Sequence, residues 1–352
     1  MKPFLNSSVK AAFIVWGPPS HGPRSKVLAR ELGISALHYV YSNTRRGLVS
    51  ALYRYSAQAV ETFRILRRER AQVVFVQSPP SFAVLCVFAY ARTSRTHFVV
   101  DAHSAAFQYW FWMWPRWLFR LLVRNAVTTI VTNPRFEMIV REAGGDALVV
   151  RDIPTSFERV GEYALTGDFN IAVVNTFAPD EPLTEILGAA AELSDVHFYV
   201  TGKLANAPPS LVERALANVH FTDFLSDVEY YGLLASADAV MCLTTRDNTM
   251  QRGACEALSL GKPIITSNWG LLRDYFRQGT VHVENTANDI RRGVIALRSD
   301  YPRYETEILA LQDAQQNEWQ EKRECLITRI EASLNGSTLR EPLARANAGE
   351  VS

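Results

Sequence analysis

Short apolar runs alternate with stretches of helical periodicity along most of the chain. Segments 11–16, 72–77, 97–101, 128–132 and 147–151 read as buried strands, and 48–69 and 81–90 carry apolar residues at helical spacing between them. This alternation predicts a doubly wound parallel sheet. The stretch 152–168, with Pro154 and Gly161, follows neither period and is expected to be a linker. A second series then begins: strand 171–175, helix 183–193, strand 196–201, helix 209–216 and strand 219–221. It continues with strand 239–243, a helix from near Thr249 to Leu260 stopped by Gly261, and a further buried strand opened by Lys262-Pro263. From 303 to 334, Leu309, Leu311, Trp319, Leu326 and Ile330 mark a long helix. The pattern predicts an α/β chain of two Rossmann-like, doubly wound parallel-sheet domains facing a cleft. Their expected spans are 1–160 and 161–312, followed by a helix at 313–335 packing back on the N-terminal domain and a polar, disordered tail at 336–352.

Bulk properties agree with this division and narrow the partners. A chain of 352 residues is long for one core and suits two domains, and its 48% apolar content supports folding of both. A formal net charge of +1, with 21% charged residues, provides no field to recruit nucleic acid, which is not expected as a partner. Cys86, Cys242, Cys255 and Cys325 lie far apart or inside apolar patterns, without CxxC pairs, and read as reduced thiols of a cytosolic protein. The N-terminal residues lack the apolar core of a signal peptide, and no run of about 20 apolar residues occurs, so no membrane span is expected.

In a parallel sheet, ligands lie beyond the carboxyl ends of the strands, so residues just past each strand are the site candidates. The stretch 239–268 is the most informative, because it reads as strand, polar turn, helix and strand. Free amides at the helix start, around Thr249, Met250, Gln251 and Arg252, attract phosphate, and Glu256 further along could accept hydrogen bonds from ribose hydroxyls. The competing reading is an ordinary βαβ unit with a surface glutamate. After the first strand, the loop containing Gly17 and Gly22 lets backbone approach a ligand, and Arg24 and Ser25 lead into a helix. It is not the G-x-G-x-x-G fingerprint, and a plain loop competes.

Ser78-Pro-Pro-Ser81 reads as a rigid turn, and Thr132-Asn-Pro134 as a turn and helix cap. Asp101 and His103, two apart on an extended segment, point to the same side and offer a general base with its orienting carboxylate. A structural histidine is the alternative. In the second half Lys203, Arg246 or Arg252 could balance a diphosphate, with surface solvation the alternative for each. Asp180 and Glu181 are expected to begin and cap the helix that follows them.

These residues resemble a family. Gly253-Ala-Cys-Glu256-Ala-Leu-Ser-Leu-Gly261-Lys-Pro263 is similar to the conserved segment of nucleotide-sugar glycosyltransferases of the two-Rossmann GT-B architecture with a Glu-x7-Glu motif. Gly22-Pro-Arg-Ser25, Val76-Gln-Ser-Pro-Pro-Ser81, Asp101-Ala-His103 and Asn175 to Pro182 are also similar to dolichol-linked β-mannosyltransferases. The resemblance spans about residues 11–335. It implies sugar transfer from a nucleoside diphosphate donor, GDP- or UDP-linked, with Glu256 on the ribose, helix-start amides on the diphosphate and His103 near the reacting groups. It also implies that neither metal nor any other cofactor is needed. Two departures stand out: Asn248 occupies the place of the first motif glutamate, and 176–182 lacks the Arg and Lys many members carry after the first strand of the second domain.

The stretch 107–124 holds Trp110, Trp112, Trp114 and Trp117, four of seven tryptophans, with Arg116, Arg120 and Arg124 four apart on one helical face. Tryptophan beside a cationic stripe fits an anionic membrane surface and would bring the cleft near a lipid-linked acceptor. A helix packed into the core or against the other domain is the alternative. The expectation is therefore a glycosyltransferase at the cytoplasmic membrane face acting on a lipid-linked or polysaccharide acceptor. A catalytically silent GT-B scaffold that binds nucleotide sugars and a nucleotide-sugar epimerase are the rival readings.

Overall fold

The computed structural model describes residues 9–19, 23–41, 48–157, 159–213, 216–247 and 249–336. The chain forms two compact units, Met1–Ile153 with Trp319–Ser352, and Pro154–Glu318. In the first unit the order is β1 (Ala11–Val15), α1 (Pro23–Glu31), β2 (Ala36–Tyr39), α2 (Leu48–Glu69), β3 (Val73–Ser78) and α3 (Ser81–Thr93). Then come β4 (His97–Ala102), α4 (Ala105–Gln108), α5 (Arg116–Asn125), β5 (Thr129–Val131), α6 (Pro134–Glu142) and β6 (Ala147–Val149). The six strands pair in parallel in the order β2-β1-β3-β4-β5-β6, so the winding direction reverses between β1 and β3.

The sheet is covered on both faces, which explains why its strands read as continuous apolar runs. Val74 and Val76 of β3 point into one core with Ile14 and Phe98, while Val73 and Phe75 point into the other with Phe13 and Leu28. The second core also receives Trp319, Leu326 and Ile330 from the last helix.

The second unit contains β7 (Asn170–Val173), α7 (Leu183–Ala191), β8 (His197–Thr201), α8 (Pro209–Val212), β9 (Val219–Asp223), α9 (Asp227–Ser236) and β10 (Ala239–Cys242). It continues through α10 (Arg252–Ser259), β11 (Ile264–Ser267), α11 (Gly270–Tyr275), β12 (Thr280–Val283) and α12 (Ala287–Ser299). Helix α13 (Tyr301–Leu334) begins in this unit and ends in the first, so the boundary falls within a helix. The parallel order β12-β11-β10-β7-β8-β9 places its reversal between β7 and β10.

Several elements depart from the pattern reading. The stretch 152–168 is not a free linker: the amides of Thr155, Gly161, Tyr163 and Thr166 donate to Ser259 Oγ, the Val228 carbonyl, Ser236 Oγ and Tyr199 Oη, fastening it to the second unit. Helix α10 opens at Arg252 rather than Thr249, because Gln251 is still extended. Strand β2 and helices α9 and α12 were not foreseen, although Ser226 and Glu229 form a reciprocal capping box at the start of α9. The expected tail lies outside the described residues apart from Gly336 at its start.

Candidate functional site

The reversal point of the first unit gathers a polar cluster at the ends of β3 and β4. Asp101 lies opposite Gln77 in the strand register, and His103 follows two residues later on the same side. The His103 ring Nε2 is 3.2 Å from Asp101 Oδ2, and the His103 backbone amide donates to the Ser78 carbonyl at 2.8 Å. Ser25, from the first turn of α1, donates to Asp101 Oδ2 at 2.8 Å, with its Oγ 3.1 Å from Gln77 Oε1 and 3.3 Å from His103 Nε2. Arg24 stands 3.5 Å from Asp101 Oδ1 through Nε and donates to the carbonyls of Val150 and Arg151 at 2.8 and 3.3 Å.

Electrostatics sets the protonation pattern of this cluster. Burial of Asp101 acts to raise its pKa, but the charge and hydrogen bond of His103, the Arg24 charge and the Ser25 hydroxyl outweigh it and bring the carboxyl down to about 2. Asp101 is therefore ionised at neutral pH and only accepts hydrogen bonds. A neutral His103 ring then carries its proton on Nε2, facing the carboxylate, and its Nδ1 keeps a lone pair. Among the described residues no hydrogen bond reaches Nδ1, and the ring is 21% exposed. This is the relation of a general base to its orienting carboxylate. Ser25 is no nucleophile for such a pair: it is fully buried and touches the same ring nitrogen as Asp101.

Arg24 and Ser25, expected on the donor, are instead turned inward to hold Asp101, and Gly22 lies outside the described residues. Gln77 was missed as a site residue. It falls within the Val76 to Ser81 segment of the resemblance, which gives it no role; in the strand it is a lone amide among residues that are all buried.

At the reversal point of the second unit, the loops after β7 and β10 are tied together by side chains. Thr244 Oγ1 donates to Asp180 Oδ2 at 3.0 Å, the Thr245 amide donates to the Asp180 carbonyl at 2.7 Å, and Arg246 pairs with Asp180 at 3.2 Å. Trp269 Nε1 and Asn285 Nδ2 both donate to the Thr244 carbonyl, at 2.8 and 2.9 Å. Glu181 accepts from the amides of Thr176 and Ala178 and from the Thr176 hydroxyl. Asp180 and Glu181 thus shape loops rather than cap α7, whose N-cap is Pro182 without a side-chain bond. Gly202, at φ +117°, lets the end of β8 pass close to Asn175: a Cβ there would meet the Asn175 carbonyl oxygen at 2.6 Å.

Gly253 presses the start of α10 against the end of β7, where an added Cβ would lie 2.6 Å from Val174 Cγ1. Glu256 is not a surface glutamate. It is 7% exposed; its Oε1 accepts from Arg252 Nε at 3.0 Å and its Oε2 from Tyr230 Oη at 2.9 Å. Burial, then the Glu256 charge, pushes the Tyr230 pKa far up, so the phenol remains a donor. Arg252 also donates to Thr155 Oγ1 at 2.9 Å. Neither Tyr230 nor Thr155 was foreseen.

The Cys242 thiol donates to Gln251 Oε1, and burial pushes its pKa up to about 12 while the amides of Ala254 and Gly253 act in the opposite direction. Two amides of the α10 start are therefore directed at sulfur. Thr249 and Met250 are half-buried just before α10, Lys203 is exposed just past β8, and Asn248 lies outside the described residues.

The aromatic stretch is not one helix. Trp110–Met113 forms a short 3-10 turn, Trp114 and Pro115 are extended, and α5 starts only at Arg116, the first position after the proline. Trp110, Trp114 and Trp117 are 70%, 68% and 67% exposed. Trp112 departs from this row: it is half-buried, and its carbonyl accepts from the Ser81 hydroxyl. Arg124 departs too, donating through Nε to the Ala143 carbonyl at 2.8 Å. No helix among the described residues is long and apolar enough to cross a membrane. Among the same residues no three His, Cys, Asp or Glu side chains converge as a metal site.

Residues 170–300, within the second unit, match the family model described as "Glycosyl transferases group 1". Solved structures share the fold of the whole chain, two Rossmann-like units in the GT-B manner. Sucrose-phosphate synthase from Thermosynechococcus elongatus is similar at 14% identity and a TM-score of 0.64, over 93% of this chain and 100% of that one. A putative UDP-N-acetylglucosamine 2-epimerase from Listeria monocytogenes is similar at 11% identity and a TM-score of 0.65, over 94% and 98% of the two chains. Anabaena HepE in complex with UDP is similar at 13% identity and a TM-score of 0.60, over 93% and 100%. No curated protein matches the chain.

Proposed function

We propose that the protein transfers a hexosyl group from a nucleoside diphosphate donor, UDP- or GDP-linked, to a lipid-linked or polysaccharide acceptor at the cytoplasmic membrane face. The observation that carries this reading is the Asp101–His103 pair at the first reversal point, with Nδ1 free of hydrogen bonds from the described residues, in a chain whose residues 170–300 match the glycosyl transferases group 1 model. The complex of the similar HepE with UDP supports a nucleotide donor.

In the proposed reaction His103 Nδ1 takes the proton of the acceptor hydroxyl as that oxygen bonds to the sugar carbon and the bond to the diphosphate breaks. Asp101 holds the ring and balances the imidazolium. This assignment favours inversion, because the base acts directly on the attacking oxygen. In the second unit the proposed donor contacts are Glu256 on the ribose, and Lys203 with the segment Asn248, Thr249, Met250, Gln251 and Arg252 on the diphosphate. Charge on the leaving group is then met by cations and amides without metal. Ribose binding by Glu256 requires that a hydroxyl replace or join Tyr230 and Arg252 on its two oxygens. Trp110, Trp114, Trp117, Arg116 and Arg120 form the membrane-facing or acceptor-facing surface.

The test is thermal unfolding of the protein with UDP, GDP, ADP and their sugar conjugates, followed by transfer assays with the donor that binds. A ligand at about 100 times its dissociation constant adds roughly 2.7 kcal/mol, so the true donor base stands out from the rest. No shift with any nucleotide overturns the proposal. A second reading, epimerisation of a nucleotide sugar, is favoured by the fold shared with a putative UDP-N-acetylglucosamine 2-epimerase. It predicts conversion of the donor into an isomeric nucleotide sugar without any acceptor, whereas transfer releases free nucleoside diphosphate only when an acceptor is supplied.

A further inference from the structure

The turn Trp110–Met113 and helices α5 and α6 of the first unit line a half-open cavity of about 370 Å³. Six of the nine residues that line it are apolar: Trp110, Met113, Trp114, Phe119, Ile139 and Ala143. Arg116 and Arg120, one turn apart on α5, line it as well, and both are exposed. From 105 to 125 the chain carries three arginines and no acidic residue, and Glu142 is the one carboxylate among the described residues that line the cavity. Helix α5 begins at Arg116 without a side-chain cap, so its first-turn amides add to the positive end. Exposed Tyr109, Trp110, Phe111, Trp114 and Trp117 make this side of the unit an apolar patch with cations at its edge.

We propose that this cavity is a binding pocket for one hydrocarbon chain of an amphiphile bearing a phosphate head, the chain in the apolar cavity and the phosphate on Arg116 and Arg120. The inference rests on the reading of a lipid-linked acceptor and assigns the acceptor's lipid to a built pocket rather than to general adsorption on a bilayer. Charge and shape select this occupant. Two guanidiniums suit a phosphate by paired hydrogen bonds, and the apolar part of the lining suits a hydrocarbon chain. The flanking indoles lie where a headgroup layer would receive them.

The experiment titrates the full chain with octyl, dodecyl and hexadecyl phosphate below their micelle concentrations, following tryptophan fluorescence. A parallel dodecyl phosphate brominated at its chain end reads proximity by quenching. In a pocket, affinity tightens by about fourfold per methylene and then levels off once the cavity is full. The brominated chain quenches tryptophan, inorganic phosphate alone binds too weakly to compete, and dodecyl maltoside binds at least tenfold more weakly than dodecyl phosphate. Ile139→Trp, which fills the cavity from α6, lowers dodecyl phosphate affinity at least tenfold and leaves nucleotide binding unchanged. Ala143→Leu is the second filling variant should the first fail to fold.

Affinity that climbs with chain length without levelling, and that both filling variants leave intact, overturns the pocket in favour of surface adsorption. Equal competition by inorganic phosphate overturns it in favour of a bare anion site. A wild-type protein that shows the plateau yet binds no nucleotide supports the pocket while sinking the transferase reading, so the two proposals fail separately.

Discussion

At the reversal point of the first unit, Asp101 is buried, ionised and surrounded by Ser25, Arg24 and His103, and no hydrogen bond from the described residues reaches the far nitrogen of His103. At the reversal point of the second, Asp180, Glu181 and Glu256 are all engaged with their own protein: with Thr244 and Arg246, with the amides of Thr176 and Ala178, and with Tyr230 and Arg252. Both sites follow from the same topology, since a reversal in strand order splays adjacent loops apart. What differs is whether the carboxylates hold another reactive group or hold the loops. A carboxylate past a strand end is thus a candidate ligand in sequence, but its hydrogen-bond partners decide what it still has to offer.

Replacing Asp101 with Asn should produce the largest effect. The amide cannot enforce the Nε2–H tautomer, and in comparable pairs the wrong tautomer costs on the order of 10³-fold or more in turnover. The same change alters acid stability. The folded pKa of about 2 lies below the ordinary 3.8, so ionised Asp101 contributes about 2 kcal/mol. That contribution is fully present above pH ~4 and is lost as pH falls through about 2. Acid unfolding of the wild type followed between pH 5 and 2 should therefore show a step that Asp101→Asn lacks, and identical profiles would remove the carboxylate from this role.

His103→Ala should lower kcat by roughly 100-fold or more while leaving donor affinity within a few-fold, as expected for a residue that serves only the chemical step. Equal losses in kcat and affinity would make it a binding residue. Glu256→Ala should act on both fold and ligand. Removing the carboxylate takes the acceptor from the buried Tyr230 hydroxyl and one of the partners from Arg252, which keeps Thr155, and costs about 2 kcal/mol in thermal unfolding, and nucleotide affinity should weaken by about tenfold or more if a ribose shares the site. Full affinity in a destabilised but folded variant would assign Glu256 to the architecture alone and widen the contrast between the two reversal points.

Much of the fold was legible because both sheets are covered on two faces: strands such as 73–78 then read as apolar runs that stand out against helical periodicity. The Asp101–His103 pairing was legible for the same reason, since residues two apart on a strand share a side. Roles were harder to read than positions. Arg24 and Ser25 were found, but their inward orientation depends on where Val150 and Asp101 come to rest, which no local pattern carries.

Tyr230 was hidden with helix α9, whose apolar and polar residues are poorly segregated, and Thr155 was hidden because its partners Ser259 and Arg252 lie far along the chain. The arginine stripe misled in part. Arg124 shares the spacing of Arg116 and Arg120, yet it turns to the Ala143 carbonyl beside Gly144, where a Cβ would stand 2.6 Å from its Nε.

The smallest effect tests how tightly the second reversal point is closed by its own side chains. Asp180→Ala removes the acceptor of the Thr244 hydroxyl and the partner of Arg246, but Trp269 and Asn285 still hold the Thr244 carbonyl, and the Asp180 carbonyl still receives the Thr245 amide. The Arg246 side chain is 64% exposed, so its ion pair with Asp180 contributes little, and most of the loss is one partly buried hydrogen bond of about 1 kcal/mol. Local opening should then rise by about fivefold, read as faster hydrogen exchange of the amides at 244–246 with the strands on either side unchanged. Turnover should fall by no more than a few-fold if Asp180 only shapes the loop. A loss approaching that of His103→Ala, with exchange unaltered, would instead make Asp180 a ligand contact and bring the second reversal point into the same class as the first.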